Sequence, residues 1–124
     1  MKKTEEGLST PVWNQAELLD RVDNDLELLQ ELLAIYKHDF PRTIRSLQSA
    51  VASGDLKNTA SLSHTLKGML SNLGAARAAG AAARLEEMAS GGEKDRLQDG
   101  LQALQREAAS LMPELDAYAT EVRR

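Results

Sequence analysis

Apolar residues recur along this chain at spacings of three and four, the period of a helix with one face turned inward. Leu29, Leu33, Tyr36 and Phe40 share such a face, and Ile44, Leu47 and Val51 resume it beyond Pro41. The pattern predicts a kinked helix over about residues 24–53, opened by Asp23 as N-cap; two abutting helices divided at the proline are the alternative. Ser53-Gly54-Asp55 reads as a stop followed by a new N-cap, and the next helix runs to about Leu73, where Gly74 ends it. Residues 75–90 hold eight alanines, small enough for this helix to lie close against its neighbour. Gly91-Gly92 then breaks the chain. In the last segment Leu97, Leu101, Leu104, Ala108, Leu111, Leu115, Tyr118 and Val122 alternate steps of four and three, a heptad seam that leaves Pro113 to one side.

By itself the seam would suit a dimeric coiled coil. Three other amphipathic helices on short connections favour an intramolecular bundle instead. Ahead of them, Thr10-Pro11 reads as the N-cap and first residue of a short helix through Leu18 and Leu19, with Trp13 as its anchor. The expectation is an all-α fold: an antiparallel up-down-up-down four-helix bundle over residues 24–122 with an accessory helix over residues 11–20. Residues 11–124 then form one domain behind a flexible N-terminal arm, residues 1–10.

Composition narrows the function classes. The 124 residues are 42% hydrophobic but only 3% aromatic, so the core must be built of leucine and alanine. A net charge of −4 argues against a nucleic-acid or anionic-membrane surface. Cysteine is absent, which excludes thiolate chemistry and a disulfide framework. Met1-Lys2-Lys3 is followed by polar Thr4-Glu5-Glu6 rather than an apolar run, and no stretch approaches a membrane span. These features lead us to expect a soluble, cytoplasmic monomer.

The candidate chemistry lies on the helix before Gly74. With His64 at 0° and 100° per residue, Leu62, Leu66, Met69, Leu70 and Leu73 fall between roughly 140° and 240°. Lys57, Ala60, Ser61, Lys67, Gly68 and Ser71 fall within roughly 60° of His64, on the face turned to water. A solvated imidazole is ordinarily just a surface residue, Lys67 alone a solvated charge, and Gly68 alone a helix defect costing about 1 kcal/mol against alanine. Together, an open imidazole, a cation and bare backbone suit a group that must meet a phosphoryl donor on another protein. His38 is the control: it is also on an exposed face, but Pro41 and Arg42 stand where the Lys-Gly pair would be. Arg42 and Arg45 could contact an acidic partner or simply be solvated. Neither histidine follows a glutamate by three residues, so the di-iron pattern of bundles is missing, as are a phosphate loop and a nucleophile–base pair.

Ser63-His64-Thr65-Leu66-Lys67-Gly68, then Leu73-Gly74-Ala75 and Leu85-Glu86, resemble the histidine phosphotransfer (HPt) domain of bacterial phosphorelays. Asp25, Leu29, Leu33, Pro41, Leu47, Ala50 and Gly54-Asp55 extend the resemblance over about residues 13–90; the last helix agrees only in length and periodicity. One departure is that Met69 and Leu70 follow the Lys-Gly pair where small residues are usual; both face the core on the helical wheel, which implies altered packing. The resemblance implies that His64 accepts a phosphoryl group from an aspartyl phosphate on a response-regulator receiver domain, and passes it to another receiver. Such a partner could belong to a hybrid histidine kinase. Lys67 would stabilise phosphoryl charge and Gly68 would give steric access, with magnesium on the partner and no cofactor on this chain. The chain would be a phosphocarrier without autokinase activity. Residues 64 and 86 lie almost equally far from the Gly74 turn, so Glu86 either orients the imidazole through Nδ1–H or is a solvated helix residue. The competing function is a helical adaptor that binds a signalling partner without phosphoryl transfer.

Overall fold

The computed structural model describes residues 10–122, with side chains through residue 119. The arm expected over residues 1–10 therefore lies outside the described residues, except for Thr10. Among the described residues five α-helices follow one another: α1 Gln15–Arg21, α2 Leu26–Ala52, α3 Leu56–Leu73, α4 Ala76–Ser90 and α5 Leu97–Val122, with a 3₁₀ turn Lys94–Arg96 leading into the last. No strand occurs among the described residues. Helices α2 to α5 form the bundle: α3 packs most extensively on α4, α4 on α5, and α2 closes the ring against α3 and α5. The α5 seam is buried from Leu97 to Leu115, facing Leu29, Leu47, Leu66, Leu70 and Leu85. The seam therefore serves the intramolecular core. Pro41 lies inside one continuous α2, which decides for a single helix, and Pro113 lies inside α5.

Local cap chemistry sets most boundaries. Asp55 accepts the Asn58 N–H at 3.0 Å to open α3, and Asp25 accepts the Leu28 N–H at 3.1 Å to open α2. The cap of α2 is thus Asp25, not Asp23. Asp23 and Asn24 adopt left-handed backbone angles (φ 57° and 60°) and make the turn out of α1 instead. The accessory helix also starts later than the Thr10-Pro11 signal suggests. Its N-cap is Asn14, which accepts the Glu17 N–H at 3.1 Å. The reason is tertiary: the Trp13–Asn14 segment is held extended along the end of α3.

That end is closed by two devices. Gly74 sits at φ 85°, and the Ala75 N–H reaches back to the Leu70 carbonyl at 2.9 Å, a left-handed helix stop. The Leu73 and Gly74 carbonyls, which the helix end leaves open, find donors in the N-terminal segment, and the Ser71 carbonyl, already accepting the Gly74 N–H at 3.0 Å, gains a second donor there. Arg21 donates to Ser71 O at 2.7 Å, the Trp13 indole to Leu73 O at 2.8 Å, and the Asn14 N–H to Gly74 O at 2.9 Å. Trp13 is buried, edge-on to Tyr118 of α5 with ring centres 5.2 Å apart.

A Cβ at residue 74 would lie 2.7 Å from Asn14 O, on top of an unfavourable positive φ. Gly74→Ala should therefore lower stability by about 2 kcal/mol or more, read as a drop in the midpoint of chemical denaturation. A variant as stable as the parent would show that the Asn14–Gly74 contact is not maintained in solution.

Candidate functional site

Helix α3 presents two faces. Leu66, Leu70 and Leu73 are buried, as are Thr59 and Ser63, while Leu62 and Met69 are only partly buried. The buried arc is thus rotated from the leucine stripe, to roughly 180–260° on the His64 wheel. The cause is α4: Ala78, Ala81 and Ala82 are almost fully buried, and their small side chains let α3 approach closely enough to enclose Thr59 and Ser63. Leu62, expected to be buried, lies at the margin for that reason, and so does Met69, expected to face the core.

The rotation leaves His64 fully on the surface, its side chain 66% exposed, with Lys67 half-buried and Gly68 exposed beside it. A side chain at Gly68 would meet open space: nothing among the described residues lies within 4 Å of where its Cβ would stand. Its φ is not in the left-handed range either. Neither packing nor backbone geometry among the described residues calls for glycine there.

Glu86 comes from α4 to the same place. Its Oε2 is 3.1 Å from His64 Nδ1 and its Oε1 is 3.1 Å from Lys67 Nζ, so one carboxylate bridges both predicted residues. Partial burial pushes the Glu86 carboxyl up. The hydrogen bond and charge of Lys67, then those of His64, outweigh that and hold it below the ordinary carboxylate range. An ionised carboxylate accepts but cannot donate, so the contact calls for the hydrogen on Nδ1 and leaves the Nε2 lone pair toward solvent. The four sequence-predicted site residues, His64, Lys67, Gly68 and Glu86, thus share one open face.

Other candidates stay apart from it. His38 is exposed, and its Nδ1 lies 3.0 Å from the carboxylate of its neighbour Asp39. Arg42 and Arg45 are exposed and make no ion pair with the site. An apolar surface that the sequence reading passed over lies between α2 and α3. Ile35 is 55% and Leu28 40% exposed, and Leu32, Ile35, Met69 and Asn72 line a groove of about 140 Å³. Asn72 is eight residues along α3 from His64, about 12 Å at 1.5 Å per residue. The signal was present: Leu28, Leu32 and Ile35 form a second apolar stripe on α2, beside the one that faces the core.

Two stability measurements follow. Gly68→Ala should stabilise the fold by about 0.5–1 kcal/mol, because helix propensity improves and nothing is displaced. Glu86→Gln should cost about 0.5 kcal/mol at neutral pH, given the exposure of its partners. Because the folded-state value is depressed, this contribution is complete above the ordinary glutamate range and is lost as pH falls through the lower folded value. Parent and variant should therefore converge in stability as pH falls through that lower folded value. A constant difference across that range would show that the carboxylate charge is not what matters.

Residues 31–123 match the family model described as the Hpt domain. Among solved structures, the chain superposes on histidine-containing phosphotransfer protein B (HptB) from Pseudomonas aeruginosa PAO1 with a TM-score of 0.85 and 27% identity, over 91% of this chain and 98% of that one. No curated protein matches the sequence. The matched span contains His64, Lys67, Gly68 and Glu86, and the bundle is the one seen in HptB. The chain belongs to the Hpt domain family, the histidine phosphotransfer modules of two-component phosphorelays.

Proposed function

We propose that His64 is the phosphoacceptor, taking a phosphoryl group from a receiver-domain aspartyl phosphate and passing it to a second receiver. The observation that carries this reading is Gly68: an exposed mid-helix glycine, unfavourable for the helix and unneeded by any neighbour among the described residues, one turn from an open imidazole. Its use lies in what approaches from outside. The Nε2 lone pair attacks phosphorus as the P–O bond to the aspartyl carboxylate breaks. Glu86 fixes the tautomer that leaves Nε2 free, and Lys67 offers charge to the phosphoryl oxygens. Magnesium is assigned to the receiver. The chain is a phosphocarrier with no autokinase activity of its own, acting as a cytoplasmic monomer. Among the described residues no helix is long and apolar enough to cross a membrane.

The receiver would also need a surface to rest on. A standard interface covers about 800 Å² on each partner, a disc of roughly 16 Å radius. Centred on His64, such a disc reaches the groove about 12 Å away. Exposed Ile35 and the partly buried Leu32 and Met69 supply the apolar contact that the polar His64 face lacks.

Mixed with a phosphorylated receiver, this chain should take up label in an acid-labile, base-stable form. His64→Gln should abolish uptake without loss of helical content, since the removed ring faces water. Lys67→Ala should slow transfer on the order of tenfold or more. Gly68→Gln should transfer poorly although its helix propensity is better. Ile35→Glu should weaken receiver binding by about tenfold or more while leaving His64 chemically reactive. Label taken up by His64→Gln, or a Gly68→Gln protein that transfers at the parental rate, would refute the site.

A further inference from the structure

The carboxylate at residue 86 has a second part to play after the phosphoryl group has arrived. We propose that Glu86 is a positioning residue that keeps the Nδ1 proton on phosphorylated His64, so that the phosphohistidine stays a phosphoimidazolium and remains able to give its phosphoryl group away. This rests on His64 being the phosphoacceptor.

The chemistry follows from the geometry. When Nε2 attacks, its lone pair forms the N–P bond, the aspartyl carboxylate leaves with the P–O electrons, and the Nδ1 hydrogen stays in place. The ring becomes a cation. On onward transfer the N–P electrons return to Nε2, a P–O bond forms to the acceptor carboxylate, and the leaving group is neutral imidazole. If Nδ1 loses its proton between these steps, breaking the N–P bond would expel an imidazolide anion, a far poorer leaving group. The proton must therefore be retained while the phosphoryl group is held. Glu86 Oε2, 3.1 Å from Nδ1, is the group that can retain it. A glutamine there could accept a hydrogen bond but would add no charge to favour the cation.

The surrounding charges do not duplicate this role. On α3, Lys67 sits on the other carboxylate oxygen at 3.1 Å and, as a cation, opposes a charged ring. Lys57 shares the His64 face two turns earlier, too far to hold Nδ1. From α2, Arg42 and Arg45 lie about as far before the Gly54 turn as Lys67 and His64 lie after it; both are cations without an ion pair to the site. From α4, Arg84 and Glu87 flank Glu86 in sequence but make no ion pair with it or with His64 among the described residues. From α1, Glu17 and Arg21 pair with each other at the far end of α3. Among the described residues, Glu86 is the one anion that pairs with the ring.

The test is the titration of phosphohistidine followed by ³¹P NMR. The full chain is phosphorylated with phosphoramidate, a small chemical donor, and separately by a phosphorylated receiver; the His64→Gln protein identifies any signal from His38. Glu86→Gln should lower the Nδ1 midpoint by about one pH unit, tenfold in the protonation equilibrium. Above both midpoints, onward transfer from the variant should slow about tenfold while its low-pH rate matches the parent. Lys67→Gln should move the midpoint the opposite way, which a general loosening of the site would not do. It also decides the matter if Glu86→Gln fails to fold. Glu86→Asp should recover part of the shift. An unmoved or raised midpoint in Glu86→Gln, or in its place an unmoved or lowered one in Lys67→Gln, overturns the inference and leaves the phosphoacceptor standing. If no phosphohistidine forms at His64 from either donor, it is the phosphoacceptor itself that has failed.

Discussion

The close packing of α4 on α3 is the constraint from which the rest of the site follows. A helix lined with alanine brings its backbone near its partner, and the partner must then turn whatever it carries on that side into the interface. Thr59 and Ser63 are enclosed, Leu62 and Met69 are moved outward, and His64 is carried around to open solvent. The same approach brings Glu86 within reach of two α3 side chains at once. Larger side chains at Ala78, Ala81 and Ala82 would separate the helices and take the carboxylate from the imidazole. In this protein, core packing and the electrostatics of the reactive face are one feature.

Where the chain could be read from sequence, local chemistry made it legible. Asp55 and Gly74 bound α3 as expected because a capping carboxylate and a left-handed glycine act within a few residues of themselves. The α5 seam was readable because its period is sustained. Glu86 was placed by counting outward from one turn, which works when two helices are antiparallel and straight. Its second contact, to Lys67, needed coordinates, because it depends on how the two helices are rotated about their axes.

The misreadings have a common physical origin. Thr10 and Asp23 have the right chemistry for caps, but the start of α1 is decided by the capture of Trp13 and Asn14 at the end of α3, and Asp23 is drawn into the turn that follows. Leu62 and Met69 were expected to face the core, but with Thr59 and Ser63 buried beneath the small-residue helix both lie at its margin. The stripe of Leu28, Leu32 and Ile35 was passed over beside the stronger core-facing pattern, and the core has room for only part of it. In each case a distant part of the chain overrode a sound local preference.

The fastening of Trp13 to the end of α3 also bears on how the chain is made. The indole and its acceptor, the Leu73 carbonyl, are 60 residues apart in sequence. At synthesis rates of about 5–20 residues per second, Trp13 is made roughly 3–12 seconds before its partner. During that interval the largest aromatic side chain of the molecule has no partner. The α3–α4 hairpin, with its short turn, can form as soon as it emerges, but the helix bearing His64 acquires these end hydrogen bonds only when the earlier-made Trp13 segment folds back onto it.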